Sequence, residues 1–146
     1  LVSPAGAPMS AEGMAHVRGL FHQTCAADGR KFLKQLFHRP PWYVPLIGAS
    51  VQRLLSRPIV RTFLESDHQQ EALTVEDAAR LRPETMLIWG TSERILPSEC
   101  LDWYRTHMPK NVTIERPRDY GHSPHLEVPD SLTDRILKFA RAGESP

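Results

Sequence analysis

The fold is decided by two polar turns, Trp89-Gly90-Thr91-Ser92-Glu93-Arg94-Ile95-Leu96-Pro97 and Gly121-His122-Ser123-Pro124-His125-Leu126-Glu127. Each turn follows a short run with the length and residue types of a β-strand, at residues 85–89 and 112–116, and each is followed by an amphipathic helix. This strand, helix, strand, helix order predicts a parallel sheet with both turns at the carboxyl ends of the strands. Ligand sites in such sheets lie at those ends, so the two turns are expected to share one site.

Glu93 and His122 are the residues of these turns that have the chemistry of a hydrolytic acid and base. Histidine suits proton transfer near neutral pH, and a carboxylate bonded to one ring nitrogen fixes the tautomer and stabilises the imidazolium. We therefore expect a carboxylate-to-imidazole hydrogen bond of about 2.6 to 3.2 Å between them. Asp102 and Asp119 are the alternative acids.

A nucleophile that would complete such a site is missing from the sequence. A nucleophile elbow needs a small residue two positions before and two positions after the nucleophile, as in G-x-S-x-G. Three G-x-S triplets occur, but Gln52, Arg94 and His125 stand where the second glycine is needed. No two glycines are four residues apart, so an elbow built on aspartate or cysteine is excluded as well. Because the chain also begins at Leu1 in what reads as the end of a strand, we expect a truncation.

Taken together, these residues resemble the carboxyl-terminal portion of the α/β-hydrolase fold. The resemblance rests on Trp89-Gly90-x-x-Glu93-x-Ile95-x-Pro97 and Gly121-His122-Ser123-Pro124-x-x-Glu127-x-Pro129, and it covers residues 83–142. It implies an α/β fragment of three layers, with a parallel sheet and a helical cap. The implied domains are a strand end and linker at residues 1–9, the cap at residues 10–73, and the last part of the hydrolase core at residues 74–146.

By this resemblance, Glu93 takes the place of the triad acid and His122 that of the general base, although the family more often carries aspartate as the acid. The implied activity is hydrolysis of a small, apolar, ester-like substrate. Amides, carbon–carbon bonds, epoxides and haloalkanes stay open, because the missing nucleophile largely selects the bond. The chain alone is expected to be inactive. The alternative is a non-catalytic binding or interaction protein that retains half of the fold.

Aromatic residues of the predicted cap are the candidate substrate-binding residues, because a cap in this family can line an apolar pocket. They are Trp42, Tyr43, Phe37 and Phe63. Core packing explains these side chains equally well, since helical spacing does not separate a pocket wall from a core.

A metal site is the other interpretation of the second turn, since the spacing of His122 and His125 near Glu127 can suit zinc. Pro124 instead predicts a loop that does not align the two imidazoles, and the hydrolase pattern already accounts for His122 and Glu127. We therefore expect neither a metal nor another cofactor, and a structural role for Glu127.

Composition and charge limit the partners. The 146 residues carry 18 basic and 17 acidic side chains, interspersed to a net charge of +1, without the basic stripe typical of nucleic-acid binding. The apolar runs are far shorter than the roughly 20 residues of a membrane span. Since we read no targeting signal, we expect a cytoplasmic protein that acts on a small molecule and binds neither nucleic acid nor membrane. An exposed edge at the first strand favours self-association or pairing with an amino-terminal half.

Overall fold

The computed structural model describes residues 1–65 and 72–143, apart from the side chains of Arg61, Phe63, Leu64 and Glu65. Helices make up the first half of the described chain, and strands alternate with helices in the second half. The elements are α1 Ala11–Phe21, α2 Ala26–Leu36, α3 Val44–Leu55, α4 Pro58–Glu65, α5 Val75–Ala79, β1 Thr85–Ile88, α6 Ser98–His107, β2 Val112–Glu115, α7 Pro124–Glu127 and α8 Pro129–Ala142. No helix in these described ranges combines the length and the apolar character that crossing a bilayer requires.

The sheet is parallel, as the strand and helix order predicts. Strand β1 pairs with β2 from Thr85 opposite Val112 to Ile88 opposite Glu115. Along its other edge, Val2 forms a parallel bridge to Ile88, with the Ser3 amide donating to the Ile88 carbonyl at 2.9 Å. The amino-terminal residues therefore lie along the second edge of β1, in the manner of a strand end.

Strand β1 is buried on both faces from residue 86 to residue 88, which is why these three residues are apolar. Successive side chains of a strand point to opposite faces. Leu87 packs on one side in a cluster with Leu101 and Tyr104 of α6. Ile88 packs on the other in a cluster with Leu132 of α8. Helices thus cover both faces of the sheet, and the predicted three-layer α/β architecture is confirmed.

Helices α2 and α3 form a separate small core in the first half of the chain, built from Leu33, Phe37 and Val44. The helical spacing of Met14, Val17, Phe21 and Cys25 predicts a first helix that ends at Asp28-Gly29. This prediction is wrong, because α1 ends at Phe21 and Asp28-Gly29 lies near the beginning of α2. The Asp28 carboxylate accepts hydrogen bonds from the Thr24 and Cys25 amides at 2.9 and 3.0 Å, so it caps the beginning of α2. The division into residues 1–9, 10–73 and 74–146 stays a prediction.

Two boundaries near the carboxyl end also differ from expectation. Residues 124–127, predicted as a loop because of Pro124, form the helical turn α7, in which proline is well tolerated at the first position. The order Ser131-Leu132-Thr133-Asp134 predicts a helix cap at Ser131, but helix α8 already begins at Pro129. Ser131 instead accepts a hydrogen bond from the Tyr120 hydroxyl at 2.8 Å.

Candidate active site

The acid turn, residues 89–97, leaves the carboxyl end of β1 and lies against the chain that follows β2. The Thr91 amide donates to the Pro117 carbonyl at 3.1 Å, and the Ser92 amide donates to the Tyr120 carbonyl at 3.0 Å. A side chain at Gly90 would overlap the Tyr120 carbonyl oxygen, so glycine permits this close approach. The sheet and these bonds bring the acid turn beside the base turn, residues 121–127, as predicted.

Glu93 and His122 form the centre of the site. The Glu93 side chain is only 3% exposed, and both of its carboxylate oxygens lie 2.9 to 3.0 Å from Nδ1 of His122. Its Oε1 also accepts hydrogen bonds from the Ile95 and Leu96 amides at 2.8 and 3.1 Å. These two amides hold the glutamate chain folded back, which explains how it reaches the imidazole. The predicted hydrogen bond is confirmed in partners and length.

The electrostatics keep the Glu93 carboxyl ionised. Burial raises its pKa, but the hydrogen bond and the charge interaction with His122, together with the Leu96 amide, outweigh that effect and leave the pKa below its ordinary value. Because Nδ1 of His122 faces the carboxylate, Nε2 is the ring nitrogen left for proton exchange. The His122 side chain is 25% exposed, so small molecules can approach it.

The lowered pKa makes a prediction about stability against pH. A carboxyl with a depressed pKa in the folded state stabilises the fold above its unfolded pKa of about 4.3, and this contribution is lost as pH falls through the folded pKa. The difference in unfolding free energy between the native chain and Glu93→Gln should therefore shrink below about pH 4. Urea unfolding at a series of pH values measures it. Glu84→Gln, at an exposed position outside the two turns, is the control variant measured beside it. A flat Glu93→Gln difference would contradict the coupling.

The alternative acids are occupied elsewhere. Oδ1 of Asp119 lies 3.0 Å from Nε2 of His38, and Oδ1 of Asp102 lies 3.3 Å from the Arg105 guanidinium. Glu93 is thus the carboxylate that the structure pairs with His122.

His38 is the residue of this region that the sequence reading missed. It lies between α2 and α3, and its Nδ1 is 2.7 Å from the Ser92 hydroxyl, inside the acid turn. No spacing pattern connects positions 38 and 92, so only the folded chain shows this contact.

The candidate pocket aromatics do not share one environment. Phe37 is buried with Leu33 and Val44, which agrees with core packing. Trp42 is 83% exposed and meets Tyr43, itself 37% exposed, edge to face at 6.0 Å. The Phe63 side chain lies outside the described residues. A pocket role for the four candidate aromatic residues stays a prediction.

The Glu127 carboxylate is bonded to three backbone amides. Its carboxylate accepts hydrogen bonds from the amides of His38, Arg39 and Gly121 at 3.0, 2.6 and 3.2 Å. Among residues 1–65 and 72–143, no group of three His, Cys, Asp or Glu side chains is placed to hold a metal ion.

No protein-family model and no curated protein matches this sequence. Solved structures do match. One is 2-hydroxy-6-oxo-6-phenylhexa-2,4-dienoate hydrolase from Rhodococcus, at 18% identity and a TM-score of 0.76 over 97% of this chain and 54% of that one. The chain has an α/β-hydrolase fold.

Two further matches agree with this fold. A serine hydrolase from Cycloclasticus zankles gives a TM-score of 0.77 at 13% identity, over 100% of this chain and 56% of that one. A carboxylesterase from Bacillus subtilis gives 0.63 at 17% identity, over 96% and 50%. The chain thus spans about half the length of the hydrolases it matches, consistent with the carboxyl-terminal portion that the sequence predicts. At these identities the likeness shows the fold and not the activity.

Proposed function

We propose that this chain is the carboxyl-terminal part of an α/β-hydrolase and supplies the acid, Glu93, and the base, His122, for hydrolysis of a small, apolar, ester-like substrate. The observation that carries the proposal is the buried Glu93 carboxylate bonded to Nδ1 of a partly exposed His122. A glutamate held by two backbone amides and one imidazole has the geometry of a triad acid.

The proposed chemistry is a proton relay. Nε2 of His122 takes the proton of the attacking nucleophile and later gives it to the leaving group. Glu93 keeps the imidazole in the tautomer with hydrogen on Nδ1 and stabilises the imidazolium formed in between. Its lowered pKa favours the ionised carboxylate that this role needs.

Two observations support the substrate class. One of the matching structures is a carboxylesterase, and hydrolases of the same fold form the other matches reported above. Trp42 and Tyr43, with exposed rings, lie a few residues beyond His38, which contacts the acid turn. Exposed aromatic rings so near the site in sequence suit an apolar acyl or alkyl group.

The test compares this chain with the longest reading frame that contains it. The chain alone is expected not to accelerate the hydrolysis of an activated short-chain ester above the uncatalysed rate. It lacks an elbow nucleophile, and in this fold the oxyanion hole uses the amide that follows that nucleophile. The longer protein is expected to turn the ester over and to be inactivated by a fluorophosphonate that labels serine nucleophiles.

The opposite results decide against the proposal. Robust turnover by the chain alone, abolished by His122→Ala, would show that the nucleophile lies within these residues. A longer reading frame without an elbow and without turnover would favour the second candidate, a non-catalytic interaction protein.

One observation favours that second candidate. Among the described residues, the strand end at residues 1–3 pairs with β1 along one edge and has no strand on its other edge. Free edges invite pairing with another chain. Sedimentation of the chain is expected to show self-association under this candidate, whereas a cooperative monomer would oppose it.

A further inference from the structure

The segment of residues 36–39, which we call the strap, connects α2 to the approach to α3 and lies directly on the base turn. The Ser123 amide donates to the Leu36 carbonyl at 3.1 Å. A Cβ placed on Gly121 would lie only 2.6 to 2.7 Å from backbone atoms of Leu36, Phe37 and His38. The strap and the base turn are therefore in backbone contact, at a distance that only glycine at position 121 allows.

Glu127 joins the same two segments through its carboxylate. The oxygens accept from two amides of the strap, His38 and Arg39, and from the amide of Gly121 beside the catalytic candidate His122. Hydrogen bonds to an ionised acceptor are stronger than neutral ones, so this carboxylate is a firm bridge between strap and base turn.

The His38 ring extends the strap to the acid turn. Its Nδ1 lies 2.7 Å from the hydroxyl of Ser92, the neighbour of Glu93, and its Nε2 lies 3.0 Å from Asp119. A carboxylate only accepts hydrogen bonds, so Nε2 carries a hydrogen and, in the neutral ring, Nδ1 accepts from Ser92. One half-buried ring thus holds the acid turn and the segment that leads into the base turn.

Ser92, His38 and Asp119 have the residue types of a nucleophile relay, but the surroundings oppose that role. The amides of Thr91, Ser92 and Glu93 already donate to the carbonyls of Pro117, Tyr120 and Gly90. They are not available to stabilise an oxyanion at Ser92, and an acyl-transfer site depends on such donors. The arrangement fits a holding function.

We propose that His38 is a positioning residue, which sets the separation between the acid and base turns and thereby the hydrogen bond between Glu93 and His122. A movement of α2 and the strap would then change the hydrogen bond between Glu93 and His122. The effect on catalysis rests on the proposed function, but the effect on the pair can be measured in this chain without any activity.

The experiment uses nuclear magnetic resonance on the chain with His38→Ala. In the native chain, the His122 ring hydrogen bonded to Glu93 should give a low-field resonance, assigned by its absence from His122→Ala. We expect His38→Ala to lose or broaden this resonance and to raise the pKa of Glu93 toward its ordinary value, since that pKa is lowered by the bond to His122. His125→Ala, at an exposed position of the base turn, is the matched control and should leave both unchanged.

Two milder variants keep the test decisive if His38→Ala does not fold. Ser92→Ala removes one partner of the ring, and Asp119→Asn removes the charge of the other. Asparagine tolerates the left-handed backbone of residue 119, at φ 63°, so Asp119→Asn does not strain the loop. Each should weaken the resonance in part, and His38→Asn, whose amide can still face Ser92, should retain more of it than His38→Ala. If Ser92→Ala and Asp119→Asn both fold and both keep the native resonance and the native titration of Glu93, the proposal is overturned.

The longer reading frame separates this inference from the proposed function. If both hold, His38→Ala lowers kcat for the ester by about 100-fold with a smaller change in KM, as expected for a misplacement near 1 Å. If the native protein has no ester turnover but the resonance still depends on His38, the positioning role stands and the hydrolase proposal fails.

Discussion

In a longer reading frame that turns over an activated ester, His122→Ala is expected to lower kcat/KM for that ester by about 10⁴-fold or more. The imidazole is the proton carrier of the proposed function, and its Nδ1 lies 2.9 Å from the Glu93 carboxylate. Without it, the nucleophile keeps its proton and the leaving group receives none, so both chemical steps slow. Steady-state hydrolysis of the ester by the native and variant proteins measures the loss.

His125→Ala is the matched control for this prediction, because His125 lies in the same turn but is exposed. Its rate should stay within about twofold of native, a difference too small to reflect a lost catalytic group. Unfolding midpoints of both variants show whether either change merely disturbs the fold. A loss of less than tenfold in a folded His122→Ala protein would remove His122 from the role of general base.

The acid and base could be predicted from the sequence because each stands in a local pattern. Residues 85–89 form an apolar run that ends in Gly90, and the structure confirms a strand buried on both faces there. Parallel order then places the turns after both strands at one edge, so Glu93 and His122 meet although 29 residues separate them. The backbone amides that fold Glu93 back could not be predicted, because their direction depends on the exact path of the turn.

The contacts of His38 and Glu127 could not be predicted for a different reason. His38 is 54 positions from Ser92 and 89 from Glu127, on a segment with no periodic relation to either turn. Such pairs are decided by how the segment that follows α2 lies against the two turns, which the spacing of apolar residues does not specify. A contact between α2 and α3 explains why the prediction of a helix end at Asp28-Gly29 is wrong. In isolation this dipeptide is typical of a stop, but Gly29 is used for close helix packing.

Gly29→Ala is expected to destabilise the chain by about 3 kcal/mol, toward the upper end of what overpacking costs. A methyl group at this position would overlap the Gly48 carbonyl oxygen and lie 2.9 and 3.1 Å from the Gly48 carbon and the Gln52 amide nitrogen. All three atoms are backbone of α3, so no side chain can rotate away and the two helices must separate. That separation would also loosen the core of Leu33, Phe37 and Val44 on which the strap rests.

Gly19→Ala provides the control, because Gly19 lies within α1 with no atom within 4 Å of the added methyl group. Alanine has a higher helix propensity and lowers the entropy of the unfolded chain, so this change should stabilise the protein by roughly 0.5 to 1 kcal/mol. Urea unfolding with a common m-value gives both differences. The change from glycine to alanine is thus expected to lower the free energy of unfolding at position 29 and to raise it at position 19. The difference between the two values measures the contact between α2 and α3. If Gly29→Ala were as stable as Gly19→Ala, the close contact between α2 and α3 at Gly29 would be contradicted. That contact could then not be what supports the strap on the acid and base turns.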